Sequence, residues 1–184
     1  MDDQLNEGDQ LRDRNGEDAS GPLVAAVDYP LYVVTVGTGD EVSGCLAGFV
    51  TRSSIKPAQF LICISKLNHT FGTARSSRGL GLHVLGSDQR DVASHFGELT
   101  GDEVDKFEGI AWAPGRTGAP ILSECAAWIE GPTIDRMDGG DHEAFLISVQ
   151  DGGAGRHKGC FTLRDASGFK AGHPEKPRVF RKDP

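Results

Sequence analysis

Short apolar segments separated by turn residues make up the middle of the chain. Residues 31–36 are rich in β-branched side chains, residues 37–40 carry two glycines and an aspartate, and residues 42–47 are again largely apolar. This order predicts a β-hairpin, because glycine and aspartate favour the tight turn between antiparallel strands. Further strands are predicted at residues 60–64, 80–85, 128–130, 144–149 and 160–163.

Two short helices interrupt these strands. Apolar residues at helical spacing between positions 67 and 74 predict the first. Ser87 or Asp88 can cap the second, in which Val92, Ala93 and Phe96 face inward. Many short strands with few helices favour a mainly β fold, a closed or nearly closed antiparallel barrel rather than a parallel sheet.

The two ends of the chain differ from this middle part. Residues 1–21 are rich in acidic and amide side chains with almost no large apolar residues, which predicts a disordered acidic leader. Residues 170–184 carry three prolines among charges and predict an irregular tail. We therefore expect one folded domain at residues 22–169.

Charge and cysteine content narrow the possible functions. The net charge of −8 argues against nucleic acid, which needs basic surface, and no apolar run is long enough for a membrane span. The four cysteines include no C-x-x-C pair, and we expect free buried thiols in a cytoplasmic protein. No metal site is expected, because Asp141, His142 and Glu143 are consecutive and alternate faces on a strand.

A polar segment at the end of one predicted strand suggests phosphate binding. Ser65, Lys66, His69 and Thr70 lie where residues 60–64 give way to the first helix. A helix N-terminus offers unpaired N–H groups and partial positive charge, which attract an anion. An ordinary capped helix with solvated polar residues explains the same pattern.

A second segment is suited to holding a flat ring. Residues 46–51 follow a strand and include the small residues Ala47 and Gly48, which allow a ligand to approach the backbone closely. Backbone N–H groups here would meet the polar edge of the ring. A β-bulge followed by a turn is the alternative interpretation.

Six segments, in order along the chain, resemble the flavin reductase-like, FMN-binding split-barrel family. They are residues 32–36, 44–57, 65–70, 82–85, 107–122 and 140–145. The second resembles the family's loop of glycine, small residues and proline, and the last resembles its Gly-Asp-His strand. His83 departs from the family, which usually has an asparagine there.

The resemblance implies an antiparallel, Greek-key-like split β-barrel that acts as an NAD(P)H:flavin reductase with FMN or FAD. It implies that His142 lies near the flavin ring and the nicotinamide. The implied flavin-binding residues are Leu46, Ala47, Gly48, Phe49, Val50, Thr51, Ser54, Ser65, Lys66, His69, Thr70 and His83. It also implies a homodimer and a possible flavin-dependent monooxygenase partner.

Three other functions remain open on the sequence alone. The same barrel could use a deazaflavin or pass electrons to another acceptor. It could bind flavin without turnover. It could also be a β-barrel interaction module that binds no flavin.

Overall fold

The computed structural model describes residues 20–39 and 41–173, and within them the chain forms three helices and ten strands. The helices are α1 (Gly21–Ala26), α2 (His69–Ser76) and α3 (Arg90–Glu98). The strands are β1 (Tyr32–Thr38), β2 (Glu41–Ala47), β3 (Val50–Ser54), β4 (Gln59–Ser65), β5 (Gly79–Val84), β6 (Trp112–Pro114), β7 (Pro120–Leu122), β8 (Ala127–Asp138), β9 (His142–Ser148) and β10 (Asp151–Ala154). Most of the predicted leader and tail, residues 1–19 and 174–184, lies outside the described residues.

Eight strands form one curled antiparallel sheet. Its order is β2-β1-β5-β8-β9-β4-β3, with β10 paired to β8 beside this path. Strands β6 and β7 form a separate two-stranded ribbon. The predicted mainly β, antiparallel split barrel with a few short helices is confirmed. No helix of the described residues is long and apolar enough to cross a membrane.

Strand β8 bends the sheet into its curled shape. Its first half pairs with β5 and its second half pairs with β9, with an irregular register between Thr133 and Asp135. Gly131 lies at this crossing, where an added Cβ would collide with the carbonyl oxygen of Ser148. Only glycine allows the two backbones to come this close.

Neighbouring residues of β1 pack into two different apolar clusters, because successive side chains of a strand point to opposite faces. Val34 and Val36 belong to the cluster inside the curled sheet, with residues from β4, β5 and β9. Val33 belongs to a second cluster, which α3 covers with Ala93 and Phe96. The inward-facing residues predicted for this helix are therefore confirmed.

Two local predictions are wrong. Residues 50–54 were expected in a loop but form the edge strand β3, paired with β4. Residues 160–163 were expected in a strand but make only an isolated bridge, between Pro30 and Thr162.

The start of α3 also differs from the prediction. The residue before it is Gln89, because the two expected caps bond elsewhere. Ser87 donates to the carbonyl of Lys158, and Asp88 contacts the ring of His157.

Candidate functional site

A groove of about 400 Å³ opens where β2 and β4 end and β9 begins. Six of the predicted site residues line it: Leu46, Ala47, Gly48, Phe49, Ser65 and His142. The opposite wall comes from residues 163–173, at the C-terminal end of the described chain. The structure thus brings together residues that are distant in sequence.

Strand pairing explains why the 46–49 segment and His142 meet. Ser65 at the end of β4 pairs with His142 at the start of β9. The carbonyl of Phe49 accepts a hydrogen bond from the backbone N–H of Cys63, so Phe49 lies beside the same two strands. As a result, the rings of Phe49 and His142 are 5.1 Å apart between centroids, a tilted contact.

Gly48 keeps an aromatic wall of the groove in place. A Cβ at this position would lie 2.7 Å from the ring of Tyr29 and 3.0 Å from the side chain of Leu31. Both residues line the groove, and Leu31 belongs to the second apolar cluster. A larger residue at Gly48 would push this wall away, so the groove depends on glycine here.

The ring of His142 is oriented by its sequence neighbour. Nδ1 of His142 and Oδ1 of Asp141 are 2.7 Å apart, and this hydrogen bond lowers the pKa of the Asp141 carboxyl group. The backbone carbonyl of Asp141 in turn accepts the N–H of Lys66. His142 is therefore held on one side by a carboxylate and on its face by Phe49.

The predicted phosphate segment forms a polar turn between β4 and α2. Asn68 precedes α2, and its side chain accepts a hydrogen bond from the N–H of Thr70. The hydroxyl oxygen of Ser65 accepts the N–H of Leu67 at 3.3 Å. Ser65 and Asn68 line the groove, which connects the turn to the ring-sized space beside Phe49.

Two basic side chains of this turn, Lys66 and His69, have acidic partners. Lys66 donates to Asp138 at 2.7 Å and to the carbonyl of Gly140 at 2.6 Å. Its hydrogen bond lowers the pKa of the Asp138 carboxyl group. Nδ1 of His69 lies 3.0 Å from Oδ1 of Asp102. Neither of these two predicted side chains lines the groove, and both line a neighbouring cavity over α2 instead.

Two predicted flavin-binding residues are buried away from the groove. The hydroxyl of Thr70 is hydrogen-bonded to that of Ser43 at 3.0 Å. Nδ1 of His83 donates to the carbonyl of Val33, and Nε2 accepts the N–H of Leu122. Burial lowers the pKa of His83 to about 4, which keeps this ring neutral. The side chains of Thr70 and His83 therefore do not line the groove.

Three more predicted residues lie outside the groove because they belong to β3. Val50 pairs with Ile62, Thr51 pairs with Leu61, and Ser54 pairs with a residue at the start of β4. The strand runs away from the groove after Gly48, so none of these three side chains lines it. The candidate site is thus smaller than the sequence predicted.

The sequence prediction missed part of the groove. Asn68 carries a local signal, since an asparagine before a helix is a strong N-cap. Tyr29 and residues 163–173 carry no local sequence signal of this kind, because they reach the groove only through long-range packing.

Two thiols also line the groove. Burial raises the pKa of Cys45 to about 11 and raises that of Cys63 as well. Both cysteines are free, and both are protonated at neutral pH.

Known proteins resemble this chain over most of its described length. The profile of the flavin reductase like domain matches residues 24–165. The ferric-chelate reductase (NAD(P)H) of Archaeoglobus fulgidus is 30% identical over 127 residues, which are 68% of this chain and 75% of that protein. Reductase subunit HsaB of a flavin-dependent monooxygenase from Mycobacterium tuberculosis is 34% identical over 120 residues, 65% of this chain and 63% of that one.

A solved structure supports the same relationship. The NADH:FAD oxidoreductase SgcE6 of Streptomyces globisporus C-1027, in complex with NAD and FAD fragments, superposes with a TM-score of 0.68 at 26% identity. The superposition covers 86% of this chain and 91% of that chain. Among the curated relatives, the matched part ranges from 21% to 75% of their own length. The chain spans less than two thirds of the length of most of them.

Proposed function

Because the chain belongs to the flavin reductase-like domain family, we propose that it is an NAD(P)H-dependent flavin reductase. The observation that carries the proposal is the groove, which joins a ring-sized space beside Phe49 and His142 to the polar turn before α2. A flavin has the same two parts, a flat ring and a phosphate. The volume lies within the range of small-molecule sites, about 300–1,000 Å³.

The residues of the groove fit a flavin in their chemistry. Tyr29, Leu31 and Leu46 provide apolar surface for the ring. The turn provides the hydroxyl of Ser65, the ammonium group of Lys66 and the ring of His69 near the start of α2, where N–H groups favour an anion. Bound flavin would supply the hydride acceptor, which no side chain can replace.

The protein's own contribution is to orient the two reactants and exclude water. The rings of Phe49 and His142 contact each other at one end of the groove. The hydrogen bond with the Asp141 carboxylate orients the imidazole ring of His142. Holding two rings in contact makes hydride transfer effectively intramolecular, which is where most of the rate gain arises. We assign His142 a supporting role near the nicotinamide rather than an obligatory proton transfer.

We propose FMN as the flavin, with FAD as the alternative, and either NADH or NADPH as the donor. The named relatives include a protein described with FAD and another described with NAD(P)H. We also propose a flavin-dependent monooxygenase partner, because one relative is the reductase subunit of such an enzyme. The four free thiols support a cytoplasmic location.

We propose that the protein is a homodimer. Phe49 is 56% exposed and Met137 is 60% exposed. Strand pairing places these two side chains in one row across the sheet. The N–H of Cys63 bonds to the carbonyl of Phe49, Cys63 pairs with Ala144 of β9, and Ala144 pairs with Met137 of β8. An exposed apolar strip beside a ligand groove is a typical interaction surface. A second copy of the chain there would cover the open side of the groove.

The direct test mixes purified protein with FMN and NADH and follows NADH absorbance, with a control that lacks the protein. We expect protein-dependent loss of NADH. The assay is repeated with NADPH and with FAD. Absence of loss in all four combinations would contradict the proposal. Retained flavin would then indicate a flavin carrier, activity with a deazaflavin would indicate the related enzyme class, and no binding would indicate an interaction module.

A further inference from the structure

His142 lies at the start of β9, directly after the segment that we call the β8–β9 turn (residues 139–141). Pairing with Ser65 sets the position of its backbone, but the hydrogen-bond partner of its ring is Asp141, which belongs to the turn. The side chain of Asp141 is 87% exposed, so packing does not fix it. The orientation of the imidazole ring therefore depends on what holds this turn in place.

Lys66, the first residue after β4, holds the β8–β9 turn from one side. Its backbone N–H donates to the carbonyl of Asp141 at 2.9 Å, and its ammonium group donates to the carbonyl of Gly140 at 2.6 Å. Two consecutive carbonyls of the turn thus bond to one residue. The turn is thereby attached to the end of β4, where Ser65 lines the groove.

Asp138, the last residue of β8, completes this attachment. Its Oδ1 accepts the ammonium group of Lys66 at 2.7 Å and the backbone N–H of Gly140 at 2.9 Å. One carboxylate oxygen therefore binds both the turn and the lysine that holds the turn. Hydrogen bonds to charged groups are stronger than those between neutral groups. We call the hydrogen bonds that link Lys66, Asp138 and Gly140 the clasp.

We propose that Asp138 is a positioning residue, which holds Asp141 through the clasp and thereby sets the orientation of the His142 ring. This inference rests on the proposed reductase function, in which His142 orients a reactant. Asp138 does not line the groove, so it acts through other residues. The path runs from Asp138 to the N–H of Gly140, along the backbone to Asp141, and through its carboxylate to the ring.

The exposure of the clasp separates a positioning role from a role in stability. The side chain of Asp138 is 75% exposed and that of Lys66 is 31% exposed. An ion pair exposed to solvent adds little to the stability of a fold. Strands β8 and β9 are paired as far as Asp138 and Glu143, so loss of the clasp should loosen the turn alone. We expect Asp138→Ala to change the melting temperature by no more than about 2–4 °C.

The first test observes the ring without flavin and without turnover. Nitrogen-15 NMR of the flavin-free protein records the imidazole of His142, which is identified by the signals missing in His142→Ala. We expect Asp138→Ala to shift and broaden these signals. Asp138→Asn should restore most of the wild-type spectrum, because its amide oxygen still accepts both N–H groups.

Asp135→Ala is the matched control for this measurement. Asp135 is an exposed aspartate of the same strand, and its carboxylate accepts the backbone N–H of Arg136. We expect it to leave the signals of His142 in place. Unchanged signals in Asp138→Ala would overturn the inference, whether or not the protein reduces flavin.

The second test is a double-mutant cycle in the reductase assay. We expect Asp138→Ala to lower kcat about three- to tenfold without raising the dissociation constant for FMN. In a His142→Ala background the same change should lower kcat by less than about twofold, because Asp138 acts through the ring. Equal losses in both backgrounds would overturn the inference and leave the reductase proposal standing. Absence of NADH oxidation by the wild-type protein would overturn the reductase proposal, and the NMR result would then decide the inference alone.

Discussion

At the scale of single residues, the groove combines side chains that the fold fixes with others that it leaves adjustable. The ring of His142 bonds to Asp141 and makes a tilted contact with Phe49. The side chain of Phe49 is more than half exposed, so its ring can adapt to a ligand. We propose that His142 orients a reactant and that Phe49 covers it.

Replacing His142 tests its supporting role. We expect His142→Ala to lower kcat about 10- to 100-fold, because orientation is lost but no essential proton transfer is removed. Steady-state NADH oxidation with saturating FMN measures the change. Asp141→Asn, which keeps a hydrogen-bond acceptor for the ring, should have a smaller effect. A loss beyond about a thousandfold, or about 4 kcal/mol, would contradict a supporting role.

Replacing Lys66 tests where the flavin phosphate lies. We expect Lys66→Ala to weaken FMN binding about tenfold, or about 1.4 kcal/mol, and to leave riboflavin binding nearly unchanged, because riboflavin lacks the phosphate. Quenching of flavin fluorescence measures both affinities. Lys56→Ala, at the β3–β4 turn, is the control for loss of one positive charge. Equal weakening of both ligands would place the phosphate elsewhere.

Single residues also mark the limit of prediction from sequence. Ser65, predicted because it ends an apolar strand, lines the groove. Thr70 does not line it, because its hydroxyl bonds to Ser43, which is 27 positions away in the sequence. His83 does not line it either, because its two partners lie on β1 and β7. A polar side chain at the right position in a motif can still be buried, and only tertiary structure decides this.

At the scale of elements, the hairpin is the clearest success of the sequence analysis. Thr38 pairs with Glu41, so the hairpin predicted around residues 37–40 is present, and Gly39 has the positive φ of 60° that tight hairpin turns favour. The strand predicted at residues 160–163 failed for a different reason. Phe161 is buried, but Gly159 has a φ of 75° just before it. The apolar residues at 160–163 thus correctly predicted that Phe161 is buried, but the strand predicted from them does not form.

His157 joins two loops through charges. Nδ1 of its ring lies 3.0 Å from Asp88, just before α3, and Nε2 lies 3.2 Å from Glu124, just before β8. The hydrogen bond with Asp88 is the main cause that raises the pKa of His157, and Glu124 adds to it. Because the folded pKa is above the unfolded value of about 6.5, this stabilisation is fully present below about pH 6.5 and is lost as pH rises through the folded pKa.

The melting temperature should report this linkage. We expect wild-type protein to exceed His157→Gln in Tm at about pH 6, and the difference to shrink at about pH 8.5. Differential scanning calorimetry at matched ionic strength measures it. His95→Gln is a control, because the hydrogen-bond partner of the His95 ring is the backbone carbonyl of Lys106 and not a carboxylate. A Tm difference that does not change with pH would contradict the charged pairing.

At the scale of the whole molecule, the curled sheet leaves one side of the groove open. The exposed side chains of Phe49 and Met137 flank this side, and Ile55 at the β3–β4 turn is 79% exposed. Family resemblance predicted the architecture, because six short motifs in one order specify a fold. It did not predict the groove wall at residues 163–173, because none of the six motifs extends there and this segment packs through contacts with α3.

Association should depend on the exposed apolar strip. We expect wild-type protein to sediment as a dimer and Met137→Glu to shift it toward monomer, because a buried unpaired carboxylate is costly. Analytical ultracentrifugation over a range of concentrations measures the change. Ile134→Glu is an informative comparison, as Ile134 is also on β8 and is 49% exposed. A wild-type monomer at all concentrations would contradict the dimer.

The thiols in the groove have a consequence for the durability of the protein. Under the proposed function, a reduced flavin that reacts with oxygen in the groove would pass it two electrons and release hydrogen peroxide near Cys45 and Cys63, which line the groove. Peroxide attacks thiolates, and burial raises the pKa of both thiols, so the reactive form is scarce. We therefore expect both thiols to resist the peroxide that the proposed activity would generate. Mass spectrometry after many turnovers should find these two cysteines unoxidised.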